Sequence, residues 1–281
     1  MRGGNELDDQ VDHFLATGES DATGALYPAE SMMEAFRRYD EVLRHALLDE
    51  LNRRAANHRG RRLPQGFELS EFVRRKVGPM VAGLFPRREH EAVLASLDKA
   101  FVFLTRQATR QVVLEASYLS TAWTVANIYL ASIGAECLGE GDWAVVGSCE
   151  DRCYVSMEYF GDTGRFADYV VHEAAHVFHN TKRERVGLPS TRRREWLLDI
   201  EFRKRETFAY ACEVYYRILE QARRPNERAG LLAEYAEGPM PNDDRVDPDE
   251  LMAILGEAVT KRNGWKVIRE RCGPQAERRR A

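Results

Sequence analysis

The chain has 281 residues, 44% of them hydrophobic and 31% charged, which is enough apolar material for one large buried core or two small ones. A formal net charge of -4 gives no overall reason to expect nucleic acid or an anionic membrane as a partner. The N-terminus, MRGGNELDDQVDHF, lacks the apolar core of a signal peptide, and the most apolar stretch, AWTVANIYLASIGA, is too short to span a bilayer, so the expectation is a cytoplasmic protein.

Taken in chain order, residues 1–25 are polar, acidic and Gly/Asp-rich, and read as a disordered leader. Residues 29–57 carry Met33, Phe36, Val42, Leu43, Ala46, Leu47 and Leu51 at helical spacing. Gly60, Pro64 and Gly66 punctuate the next stretch, and LSEFVRRKVGPMVAGLF then reads as a second helix with Ser70 as its N-cap. A third helix is expected from Pro86 through residue 111, and a fourth, apolar nearly all round and therefore buried, over 114–134. The helical N-terminal region, 26–138, ends there.

The texture changes at Gly139. Short β-branched and aromatic runs predict a hairpin with strands at 143–148 and 153–160. Cys149 and Cys153 flank its EDR turn and are placed either to pair across it or to stay as thiols; for all five cysteines the compartment favours thiols. Helices follow over 166–180 and 204–222, with shorter ones at 226–237 and 249–262, and a basic, frayed tail. The expected class is mainly α with a small β-sheet (α+β), with 139–281 as a second region or continuous with 26–138.

The stretch YVVHEAAHVFHN holds three of the seven histidines in the chain. His172 and His176 lie four apart, so on a helix both rings occupy one face, a turn from each other, and can converge on one ion. Glu173 is rotated roughly 100° from His172. It is poorly placed to ligate but can reach a water on the same metal. Two ligands and a general base are the chemistry of His-Glu-x-x-His, with Zn2+ as the expected ion. His179, three residues on, would meet that ion with poor geometry and reads as a helix-end residue or a contact in the cleft. No histidine lies downstream of it, and the Gly-x-x-His continuation of one zincin branch is missing, since His179 and Lys182 stand in its places.

HEAAH after a strand resembles the zincin metallopeptidases over about residues 143–219. The resemblance implies a motif helix beneath a small sheet whose edge strand aligns a peptide or protein substrate. With no later histidine, it points to the gluzincin branch, where a carboxylate from a later helix is the third metal ligand. Glu206 opens RETFAYACE, similar to the Glu-x-Phe-Ala segment of several gluzincins, and an apolar segment follows it. Glu195, with Asp199 four on, matches the spacing of the aminopeptidase type and remains the alternative. Glu213 shares a helix face with Glu206 and is either a second carboxylate behind the ligands or a surface acid. Asp168 either binds the far nitrogen of His172 or is a first-turn helix acid. The class commonly adds a donor for the developing oxyanion. Tyr210, Tyr215 and Tyr216 are the candidates, with Tyr210 preferred because it shares a face with Glu206. The resemblance thus implies a zinc metallopeptidase with Glu173 and Tyr210 as catalytic residues and His172, His176 and Glu206 on the metal.

Two other functions fit the same residues: a regulator that keeps the zincin fold and senses metal or peptide, and a helical DNA-associated protein in which HEAAH is incidental. Residues 182–205 carry nine basic and four acidic side chains, which read either as a solvated loop or as a surface for acidic substrates or partners.

Overall fold

In the computed structural model, residues 3–21, 30–141, 143, 146–149, 152–161, 164–192 and 194–274 are described. In chain order the elements are α1 (Gly3–Thr17), α2 (Met32–Arg54), α3 (Leu69–Leu84), α4 (His90–Ala100), β1 (Phe101–Phe103), α5 (Arg106–Glu115), α6 (Leu119–Ser132), β2 (Val146–Cys149), β3 (Arg152–Val155), α7 (Tyr169–Asn180), α8 (Arg205–Gln221), α9 (Pro225–Ala236), α10 (Pro248–Thr260) and α11 (Gly264–Cys272). Among the described residues the protein is mainly helical with one small sheet, whose strand order is β1-β3-β2. No helix among the described residues is long and apolar enough to cross a membrane.

The chain divides into two compact units. The first comprises residues 1–65, 102–149 and 153–162. Residues 3–17 of the stretch expected as a disordered leader are helical. Leu7, Val11, Phe14 and Leu15 repeat at helical spacing and join the core that Leu43, Leu47 and Leu51 of α2 form with α6. Ser31 begins α2 by accepting a hydrogen bond from the Glu34 N–H (3.3 Å), and Arg53 and Arg54 sit at its negative C-terminal end. α6 is buried nearly all round, as its composition predicts. Its polar Asn127 is satisfied by the Trp123 carbonyl (3.0 Å) and the Leu138 N–H (2.7 Å).

Two strand expectations change. The helix expected over 86–111 is interrupted, because Phe-Val-Phe at 101–103 forms β1 and Thr105 caps a fresh helix by accepting from the Ala108 N–H (3.2 Å). The second hairpin strand stops at Val155, where Ser156 accepts from the Glu158 N–H (3.1 Å) and starts a 3-10 turn over Met157–Phe160. The proposed Cys149–Cys153 pairing involves a Cys149 side chain outside the described residues.

The second unit comprises residues 66–101, 150–152 and 163–281, and contains α3, α4 and α7–α11. α7 and α8 pack against each other, and Val171, Ala175 and Phe178 of α7 and Phe208, Ala209 and Ala211 of α8 are fully buried. Full burial of a side chain such as Phe178 contributes about 1.5–3 kcal/mol. Residues 269–272, the start of the expected frayed tail (269–281), belong to α11: Asn263 caps this helix, and Trp265 packs against α3 at Gly83. A Cβ on Gly83 would lie 2.1 Å from the Trp265 ring, so this helix crossing requires glycine. α3 itself has Glu68 rather than Ser70 at its N-cap position, with no side-chain cap.

Candidate metal centre

Helix α7 starts at Asp168. Its Oδ1 accepts from the Val171 N–H (3.3 Å), its Oδ2 pairs with the Lys76 ammonium (2.8 Å), and its own N–H donates to Glu213 Oε1 (2.6 Å). Asp168 is thus the cap of the helix rather than the partner of the His172 ring nitrogen. The ring partner is Glu213, whose second oxygen lies 3.1 Å from His172 Nδ1. Glu213 is 4% exposed, so it is a buried positioning carboxylate rather than a surface acid. With Nδ1–H donating to it, the ring's lone pair sits at Nε2.

His176 Nε2 lies 3.1 Å from His172 Nε2, and Glu206 Oε2 lies 3.3 Å from His176 Nε2 and 3.8 Å from His172 Nε2. A triangle with these edges has its centre about 2.0 Å from each corner, close to the 2.0–2.2 Å of zinc–nitrogen and zinc–carboxylate bonds. Among the described residues this His172–His176–Glu206 group is the one set of three His, Cys, Asp or Glu side chains whose ligand atoms converge in this way. The two nitrogens and one carboxylate oxygen fit a divalent zinc-like cation. Glu195 is elsewhere: it is exposed and paired with Lys182 (2.7 Å).

His179 supports the site from behind. Its Nε2 lies 3.0 Å from His176 Nδ1, and its Nδ1 lies 3.1 Å from Asn180 Oδ1. Burial first, then the His176 and Arg205 charges, push its pKa down to about 3, so it stays neutral and its Nε2 can accept the His176 proton. The chain Asn180–His179–His176 then leaves the His176 lone pair at Nε2.

Burial works against charge on both His172 and Glu206. At His172 the hydrogen bond and charge of Glu213, with Glu173 and Glu206, outweigh it and raise the pKa. At Glu206 the His176 hydrogen bond and charge, then Arg245 and His172, hold the carboxyl below its usual value. Glu173 is buried on the same turn, and Tyr210 places its ring edge-on to His172 at 4.6 Å. Burial, then the Glu213, Asp243 and Glu206 charges, push the Tyr210 hydroxyl up to about 12, so it remains a donor at neutral pH. Tyr215 is bonded to the Gly264 N–H (3.2 Å) and Tyr216 to Glu220 (3.1 Å), which commits both hydroxyls elsewhere.

The basic segment 182–205 keeps Lys182, Arg185, Arg192, Arg194 and Arg203 exposed, as a solvated stretch would, but it is anchored at several points. The Leu198 and Leu197 N–H groups donate to the Phe178 and Thr181 carbonyls (both 2.9 Å), using acceptors left open at the end of α7. Arg183 is 1% exposed and pairs with buried Glu89 (2.8 Å), and Lys204 pairs with Glu250 (2.6 Å). No motif or spacing pointed to Lys76, Asp243 or Arg245. Arg245 lies in the turn before α10 and reaches Glu206 Oε1 at 2.8 Å. Its Asp-Asp-Arg setting reads only as a polar turn.

No protein-family model matches the chain, and neither curated proteins nor solved structures give a match.

Proposed function

We propose that this protein is a zinc-dependent hydrolase, a peptidase of the gluzincin kind, with His172, His176 and Glu206 as the metal-holding residues. The observation that carries the proposal is the convergence of two Nε2 atoms and one carboxylate oxygen within 3.1–3.8 Å, drawn from helices that begin far apart in sequence. HEAAH and its Glu-x-Phe-Ala continuation support a peptide bond as the target.

When bound, the ion supplies Lewis acidity towards a water and a carbonyl oxygen. Glu173 accepts the proton from that water at a carboxylate oxygen and returns it to the leaving amine. The Tyr210 hydroxyl, protonated at neutral pH, donates a hydrogen bond to the oxygen on which negative charge develops. Glu213 and His179 face the Nδ1 atoms of His172 and His176, so in the neutral rings the lone pairs lie at the metal-facing Nε2 atoms.

The test is metal analysis of the purified protein together with peptide-library cleavage. One equivalent of zinc is expected, and Glu173→Gln should retain it while losing about 10²–10⁴-fold in cleavage rate. Protein that takes up no divalent metal overturns the proposal. Metal uptake without cleavage by the wild type overturns the peptidase assignment and leaves a sensor.

A further inference from the structure

Glu206 offers the histidines only one of its two oxygens. Oε2 faces them at 3.3 and 3.8 Å, while Oε1 is held at 2.8 Å by Arg245 Nη1. The guanidinium is itself aimed by Asp243, whose Oδ1 accepts from Arg245 Nε (2.9 Å) and whose Oδ2 accepts from Nη2 (2.7 Å). Asp243 is fixed in turn. Its Oδ1 also accepts from the Arg245 backbone N–H (2.9 Å), and its carbonyl accepts from the Val246 N–H (2.9 Å). Val246 is buried, and Asp247 caps α10 immediately after, so the turn is tied at both ends. The planar fork of arginine suits such a bridge between two carboxylates, and a lysine would not reproduce it.

We infer that Arg245, aimed by Asp243, is a positioning residue that makes Glu206 a one-oxygen ligand and thereby sets the coordination number of the bound cation. The inference rests on the metal-site reading above. A donor set of two imidazoles and a single carboxylate oxygen suits a small four-coordinate ion such as Zn2+ or Co2+. Manganese and calcium favour more oxygen donors, including both oxygens of one carboxylate. With Arg245 removed, Oε1 is released to turn towards the ion, which raises the coordination number and loosens the fit for zinc. The Arg245 side chain is 68% exposed, so truncating it opens no core cavity.

The experiment uses the full chain loaded with Co2+ alone, read by visible absorption, and with Zn2+ alone, read by competition with a chromophoric chelator. Wild type should give the intense bands of four-coordinate Co2+. In Arg245→Ala those bands should weaken at least two-fold, and Zn2+ affinity should fall about 10–100-fold, the usual effect of losing a residue that orients a ligand. Asp243→Asn, which keeps the guanidinium but loosens its aim, should move both readouts in the same direction. Loss of cleavage with unchanged bands and affinity would overturn the positioning role, as would bands and affinity within two-fold of wild type in both variants. Wild type that binds neither ion overturns the metal-site reading instead, an outcome visible before any variant is made.

Discussion

His172 and His176 present the same atom, Nε2, to the same point, yet their far nitrogens meet different chemistry. A buried carboxylate, Glu213, stands behind the first, and a neutral imidazole, His179, behind the second. Carboxylate backing makes a ring more basic and locks its tautomer, so His172 should be the stronger anchor for a cation. Glu213→Gln separates the two effects. The amide oxygen can still accept from the Asp168 N–H, but its NH₂ then faces Nδ1 of His172. To avoid two donors meeting, the ring must move its proton to Nε2, where it blocks the metal. Zinc affinity should therefore drop about 10–100-fold in Glu213→Gln, measured by chelator competition. An unchanged affinity would mean that this hydrogen bond does not set the ring's protonation. The His–Glu–x–x–His pair was legible because its spacing is local to one helix. Glu213 was legible only as a residue on the right face, because its role depends on which side of α8 meets α7.

At the scale of elements, the start of α7 concentrates more polar contacts than any local signal suggests. Asp168 is 2% exposed and serves at once as the helix cap, the partner of Lys76 and a donor to Glu213. Asp168→Ala removes a cap worth about 0.5–2 kcal/mol and leaves the Lys76 ammonium in a half-closed site. Breaking a buried pair on one side costs about 3–5 kcal/mol, but Lys76 is 15% exposed and keeps Glu220 at 3.5 Å, so a total of about 2 kcal/mol is expected. Asp168→Asn keeps a capping oxygen and should lose less. Arg37→Ala breaks only an exposed pair with Glu41 and should stay within about 0.5 kcal/mol. Urea unfolding of the three variants checks this order, and a loss in Asp168→Ala no larger than in Arg37→Ala would refute the account. Most helices were legible from apolar spacing within a few residues of their ends. The misses share a cause. β1 is three residues long, and α1 and α11 are amphipathic segments whose apolar stripe is short, so composition outweighed periodicity. In the basic segment 182–205 charge count suggests solvent, which holds for Lys182, Arg185, Arg192, Arg194 and Arg203, but no local signal marked Arg183, which pairs with Glu89 in the interior.

At the scale of the whole molecule, the proposed ligands all belong to one of the two compact units. His172 and His176 come from α7 and Glu206 from α8, both in the unit that also holds α3, α4 and α9–α11. Arg245 comes from the same unit, about forty residues beyond Glu206, a distance in sequence that no spacing rule reaches. A cation bound there cross-links α7 to α8 and stabilises whatever unfolds when they separate. By mass action, zinc at 100 times its dissociation constant adds about 2.7 kcal/mol. That stabilisation is felt only by openings that break the site. Amide hydrogen exchange with and without zinc therefore makes a local prediction. Exchange through openings of α7 and α8 should slow by up to about 100-fold, and adding a chelator should reverse it. Amides of α2 and α6, whose shared core with α1 lies in the other unit, should change little unless they exchange only by global unfolding. Uniform protection across both units would mean that the chain opens as a single cooperative block. Protection confined to α2 and α6 would place the cation away from the histidines and refute the site.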